Sequence, residues 1–199
     1  MRSYIYIEGG GDSKGLHVRC RQGFRQLLER CGFSGRMPRL VACGGRSAAY
    51  GDFKTAHESN KAAYVAMLID SEETVSDPEK TWDHLKNRVL WEQPDGADDE
   101  QVLFMTTCME TWIIADRDTL RQHYGSSLQE SALPSLSALE QRNRQEVQKG
   151  LKHATRNCSN AYQKGKRSFE ILGKLEPETM ESHLPAFQRA KRILNEKLQ

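Results

Sequence analysis

One stretch constrains this chain more than any other: Tyr4-Ile5-Tyr6-Ile7-Glu8-Gly9-Gly10-Gly11-Asp12-Ser13-Lys14. Tyr4, Ile5, Tyr6 and Ile7 have the aromatic and β-branched character of a strand buried in a parallel sheet. Glu8 falls where that strand ends, and in open α/β sheets ligands gather at the carboxyl edge. The glycines that follow let the backbone turn sharply and leave room for a ligand. An amphipathic helix comes next, with Leu16, Cys20, Phe24, Leu27, Leu28 and Cys31 on one face and Arg19, Arg21, Arg25, Glu29 and Arg30 elsewhere. Two familiar phosphate-binding motifs do not fit the turn. Lys14 lacks the preceding glycine and following hydroxyl of a P-loop, and a dinucleotide fingerprint started at Gly9 would need a glycine where Lys14 stands. Glu8 therefore has two readings: a site acid, or a cap or solvated salt-bridge partner for the next helix.

The same strand-then-carboxylate pattern returns downstream. Pro38 introduces a strand over 39–43 that ends at Gly44-Gly45, and a helix is expected over 47–57. The apolar run 62–69 predicts a strand buried on both faces, and it delivers Asp70-Ser71-Glu72 at its carboxyl end. A helix over 78–90 and a mobile loop over 93–99 precede a strand over 101–105. Thr106 or Thr107 is positioned to cap a helix whose buried stripe is Met109, Trp112 and Ile113. Glu110 lies in its first turn, either as a third site acid or as a complement to the helix dipole. Beyond Arg117 no β pattern returns. The polar segment 136–158 predicts a helix with a narrow apolar stripe or a partly ordered one, and a last helix is expected over 185–198. The expected fold class is α/β: a Rossmann-like, mostly parallel four-stranded sheet flanked by helices over 1–116, with a helical extension over 117–199 packed on it, or one single domain 1–199.

At 199 residues the chain is long enough for one well-developed core. Its longest apolar run, 62–69, is too short to span a bilayer, and the N-terminal residues lack a signal-peptide pattern, so no membrane partner and a cytoplasmic location are expected. The five cysteines form no C-x-x-C pair and their number is odd, which argues for reduced thiols. The six histidines are scattered without zinc-ligand spacing. The net charge of +2 hides an uneven distribution. Residues 70–118 carry 14 acidic and 4 basic side chains, whereas 141–199 carry 13 basic and 6 acidic. Such a division suits a protein that holds a cation beside a polyanion, or two solvated faces that attract each other.

Strand-end carboxylates at Glu8 and at Asp70-Ser71-Glu72 form a set that a hard divalent cation favours, since Mg²⁺ takes a few carboxylate oxygens and keeps waters for phosphates. In the order of its motifs, Ile7-Glu8-Gly9-Gly10-Gly11-Asp12, Leu68-Ile69-Asp70-Ser71-Glu72, the segment from Cys108-Met109-Glu110 to Asp116, and Lys164-Gly165-Lys166, the chain resembles Toprim-like proteins. That fold is shared by topoisomerases, primases and OLD-family nucleases. More closely, the chain is similar to a bacterial Toprim-related family of unknown function often encoded beside ABC-type ATPases and in phage-defence loci.

The resemblance implies a Toprim core and a metal-dependent phosphoryl-transfer site. Glu8 would serve as general base or metal ligand while Asp70 and Glu72 hold Mg²⁺ or Mn²⁺, with Glu110, the candidate acid of the helix turn, as a further metal ligand. The chain departs from the Toprim pattern at one place: Asp70-Ser71-Glu72 stands where Asp-x-Asp is usual, so the second ligand reaches further. Lys166, freed by Gly165, is the preferred catalytic lysine; Lys164 is a second candidate or a solvated helix entry, and Asp12 and Lys14 in the turn are further candidates. Lys149, Lys152, Arg156 and Arg167 would help guide a phosphate backbone. The expectation is a nuclease acting on DNA or RNA with an ABC-type ATPase partner, its oligomeric state open. The rival from another class is a non-catalytic adaptor that keeps the Toprim shell and uses a face such as Trp112, Ile113 and Leu120 to bind an ATPase or a nucleic acid.

Overall fold

The computed structural model describes residues 2–59 and 61–198. Four strands, β1 (Tyr4–Gly10), β2 (Arg39–Gly44), β3 (Val65–Asp70) and β4 (Val102–Met105), form one parallel sheet in the order β2-β1-β3-β4. Each parallel connection carries a helix: α1 (Lys14–Leu28) after β1, α2 (Arg46–Glu58) after β2 and α3 (Thr81–Val89) after β3. Beyond β4 come α4 (Met109–Ala115), α5 (Arg117–Tyr124), α6 (Arg144–Thr155), α7 (Lys166–Leu172), α8 (Pro177–His183) and α9 (Pro185–Lys197). The protein is thus α/β, with a four-stranded all-parallel sheet between helices and a helical C-terminal part.

Strand periodicity divides the interior into two layers. Alternate residues Ile5, Ile7, Ala66, Leu68, Leu103 and Met105 face a large core built with α1, α4 and the C-terminal helices, while Val65, Met67, Ile69, Val102 and Phe104 face a smaller one with α2 and α3. Every residue of β3 is buried, as a central strand covered by helices on both faces requires. The large core runs from Ile5 to Leu198, so Phe169, Leu172, Phe187 and Ile193 belong to the same apolar cluster as the sheet. Helices α1 and α7 pack closely at Gly23, where a Cβ would stand 2.4 Å from the Phe169 carbonyl oxygen.

Several details differ from the sequence expectation. The strand expected over 62–69 starts only at Val65, because the chain at Ala63 is exposed and off the sheet. The segment 136–158 is not one helix: a single turn at Leu139–Gln141 precedes α6, which starts after Asn143 caps it by accepting the Gln145 N–H at 2.8 Å. The loop over 93–99 is tied down. Trp82 Nε1 donates to the Asp98 carbonyl at 2.9 Å, His57 Nε2 to the Asp95 carbonyl at 3.0 Å, and Asp98 caps the following turn.

No described helix is long and apolar enough to cross a membrane. The five cysteines are free thiols.

Candidate functional site

Strand order locates the site. The chain leaves β1 towards β2 on one side and later fills β3 and β4 on the other, so the order reverses between β1 and β3. At such a switch point the two connections diverge and leave a crevice outside the carboxyl ends. Ile7 pairs with Leu68, which brings the ends of both strands level. Glu8 and Asp70 stand on either side of the crevice, and Glu8 Oε2 accepts the Asp70 backbone N–H at 2.9 Å.

Glu8 does not cap α1. The cap of α1 is Ser13, whose hydroxyl accepts the Leu16 N–H at 3.1 Å, so Glu8 is free to face the crevice. Asp70 itself takes over a capping role expected of Thr106 or Thr107. Its Oδ1 accepts the Met109 N–H at 2.9 Å, which fixes the carboxylate against the first turn of α4. Glu110, in that same turn, is buried and accepts from the Tyr162 hydroxyl at 2.7 Å and from Gln148 Nε2 at 3.3 Å.

A cavity of about 310 Å³ opens over this edge. Glu8, Asp70, the Gly9-Gly10-Gly11 turn, Gly44 and Met109 line one part of it, and Lys164, Gly165, Ser168 and Phe169 another. Gly44 is required there: its φ is +78°, and a Cβ would lie 2.7 Å from the Gly11 carbonyl oxygen. The turn is braced from below by His17, whose Nε2 meets the same carbonyl at 2.6 Å.

Asp70 feels the charge of the other two acids. Burial first, then Glu8 and Glu110, push the Asp70 carboxyl well above its ordinary range, against the pull of Lys164 and Arg144. Burial also raises Glu8, although the Asp70 N–H, Arg46, Arg144 and Lys164 oppose it. Glu110 shows the opposite balance. Burial would raise it, but Lys164, the Tyr162 hydroxyl and Gln148 together hold it below the usual glutamate value.

Lys164 and Lys166 are both exposed, but Lys164 lines the cavity and acts on all three acids, whereas Lys166, at the start of α7, does not line it. Asp12 and Lys14 are exposed in the turn, outside the cavity lining. Lys149, Lys152 and Arg156 are exposed along α6 and the residue that ends it, and Arg167 donates to the Ala161 carbonyl at 2.8 Å; none of them lines the cavity. Trp112, Ile113 and Leu120, the face considered for an adaptor, are buried in the large core.

Glu72 does not join the other acids. Its carboxylate meets Arg46 at 2.9 Å, Arg144 at 3.0 Å and Arg88 at 3.6 Å. Arg144 also reaches Asp70 Oδ2 at 3.5 Å. These arginines escaped the sequence reading. Arg46 follows Gly44-Gly45 at a strand end and carried the same positional signal as Glu8, whereas Arg144 lies 72 residues from Glu72 with no local pattern to mark it.

Among the described residues, no group of three or more His, Cys, Asp or Glu side chains is placed to hold a metal ion. Of the expected set of Glu8, Asp70, Glu72 and Glu110, Glu72 is paired with arginines and Glu110 is engaged by Tyr162 and Gln148. What faces the cavity is the pair Glu8 and Asp70. A buried carboxyl at Asp70, raised in part by the charge of the half-buried Glu8 beside it, suits a hard divalent cation, which would relieve that repulsion and fill its remaining positions with water.

No curated protein and no solved structure matches the chain. A family model matches residues 7–192, which include Glu8, Asp70, Glu110 and Lys164 as well as the three arginines. The chain belongs to the family described as a domain of unknown function, DUF4276.

Proposed function

We propose that this protein is a nuclease of the Toprim type that hydrolyses phosphodiester bonds with Mg²⁺ or Mn²⁺ held by Glu8 and Asp70. The observation that carries the reading is the convergence of Glu8, Asp70 and Lys164 on one cavity at the switch point of a parallel sheet. A bound divalent ion would lower the pKa of a water and neutralise charge on the phosphate. Asp70 is fixed at Oδ1 by the Met109 N–H and has Arg144 3.5 Å from Oδ2, and Glu8 is held by the Asp70 N–H on the opposite side of the crevice. Glu8 is the group placed to take a proton from the attacking water, its burial bringing its basicity closer to neutral pH. Lys164 offers an ammonium to a non-bridging or leaving oxygen. It replaces Lys166 in that role because it is the lysine on the cavity wall.

The reading includes an ABC-type ATPase as partner, a role in phage defence and a cytoplasmic location, where the five free thiols would stay reduced. Purified protein with Mn²⁺ should cleave DNA or RNA, and Glu8→Gln should lower the rate by about 10³-fold, equivalent to about 4 kcal/mol of transition-state stabilisation. Equal cleavage by both proteins would remove Glu8 from the chemistry. One observation favours a non-catalytic adaptor instead: the capture of Glu72 by arginines leaves two facing carboxylates. An adaptor without a metal site would show no Mg²⁺-dependent rise in melting temperature, whereas a cation that binds only the folded protein must raise it.

A further inference from the structure

We propose that Arg46, Arg88 and Arg144 form a seat for a substrate phosphate, and that Glu72 occupies it as an internal anion which the phosphate displaces. The identity of the ligand as a nucleic-acid phosphate rests on the nuclease reading above; the seat itself rests on geometry. Three guanidinium groups from three separate helices surround one carboxylate: Arg46 at 2.9 Å, Arg144 at 3.0 Å and, at the rim, Arg88 at 3.6 Å, whose Nε also pairs with Glu73 at 3.0 Å. Each meets Glu72 through one nitrogen, although guanidinium groups can bind an anion through two parallel hydrogen bonds. A planar monoanion with two oxygens leaves donor capacity unused in such a cradle, and a tetrahedral phosphate has more oxygens to satisfy it.

The unused capacity is visible at Arg46. Its Nη1 is buried and has no hydrogen-bond partner, while the guanidinium is held 5.2 Å from the Trp91 ring centre, with Tyr50 stacked on that ring at 4.4 Å. A buried donor without an acceptor costs free energy that an incoming oxygen would recover. Glu72 is also presented in an unusual way. Its φ is +65°, in the left-handed region that non-glycine residues seldom adopt, and its N–H is tied to the Thr107 carbonyl at 2.9 Å. The seat adjoins the acid pair because Arg144 spans Glu72 and Asp70. A strand held there would have one phosphate on the arginines and a neighbouring one at Glu8 and Asp70.

Calorimetry with inorganic pyrophosphate, and fluorescence anisotropy with a short single-stranded oligonucleotide, both without divalent metal, test this arrangement. Glu72→Gln removes the competing charge and should bind both probes about tenfold more tightly than the wild type. Arg88→Gln, which alters the exposed rim, should weaken pyrophosphate binding several-fold without loss of fold. Unchanged or weaker pyrophosphate binding by folded Glu72→Gln would overturn the proposal. If Glu72→Gln does not melt cooperatively, wild-type pyrophosphate affinity in Arg88→Gln would overturn it, and a several-fold loss would uphold it. Tighter pyrophosphate binding without oligonucleotide binding would uphold the seat and contradict the nuclease reading. Metal-dependent cleavage with no effect of Glu72→Gln on either probe would do the reverse.

Discussion

Asp70 shows how one side chain can connect fold and chemistry. It ends the central strand, caps α4 through Oδ1 and approaches Arg144 through Oδ2, all while buried. A carboxylate in that position is costly unless it is paired or protonated, which is why its pKa rises. Glu140, remote from the crevice, shows the same physics in isolation and provides a cleaner test. Both of its oxygens accept the Ala186 N–H, at 3.2 Å and 3.1 Å, yet burial outweighs that bond and raises its pKa from 4.5 to about 7. An acid with a raised folded pKa binds more protons folded than unfolded, so its contribution to stability is lost as pH rises from about 4.5 to about 7. Glu140→Gln keeps an acceptor but cannot ionise. Chemical denaturation should find it more stable than the wild type above pH 7 by on the order of 2 kcal/mol, with the difference vanishing near pH 4. A difference independent of pH would show that Glu140 ionises without penalty. At this scale the sequence revealed acids more readily than their partners. Glu8 and Asp70 follow apolar runs that mark strand ends, but nothing near Asn143 signals that Arg144 will meet residues of β3 and its edge.

The elements were legible where their side-chain pattern is decided locally. The short, uninterrupted apolar runs that became β1, β3 and β4 are marked by their length, composition and flanking turns, and the apolar face of α1 by its helical period. The region between Tyr124 and Arg144 was not, because it consists of short turns whose hydrogen bonds depend on distant packing, such as the bond from the Gln129 N–H to the Ala154 carbonyl at 2.8 Å. The placement of α7 is another tertiary effect, since it docks on α1 through Gly23 and brings Lys164 to the cavity. Helix propensity alone would favour Gly23→Ala by about 1 kcal/mol. The Phe169 carbonyl, 2.4 Å from the added methyl carbon, reverses the sign, because backbone on a packed helix cannot move aside cheaply. Thermal melting of Gly23→Ala should show a loss of about 1–3 kcal/mol. A gain in stability would mean that α7 shifts freely on α1.

Across the whole molecule, the uneven charge of the sequence resolves in part into contacts between its acidic and basic segments. Arg144 with Asp70 and Glu72, Arg189 and Arg192 with Glu79, and Lys197 with Glu100 join the basic C-terminal segment to the acidic middle one. The helical part shares its apolar core with the sheet, so the whole chain should unfold as one unit. Tryptophan fluorescence, which includes Trp82 in one layer and Trp112 in the other, should give a single transition coincident with far-ultraviolet circular dichroism; two separated transitions would show that the helices unfold independently. The central claim is that Glu8 and Asp70, and not Glu72, hold the cation. Electron paramagnetic resonance during a Mn²⁺ titration tests it most directly. The account predicts one saturable Mn²⁺ site in the wild type, retained in Glu72→Gln and lost in folded Glu8→Gln and Asp70→Asn. Absence of that site in the wild type, or its survival in both Glu8→Gln and Asp70→Asn, would contradict it.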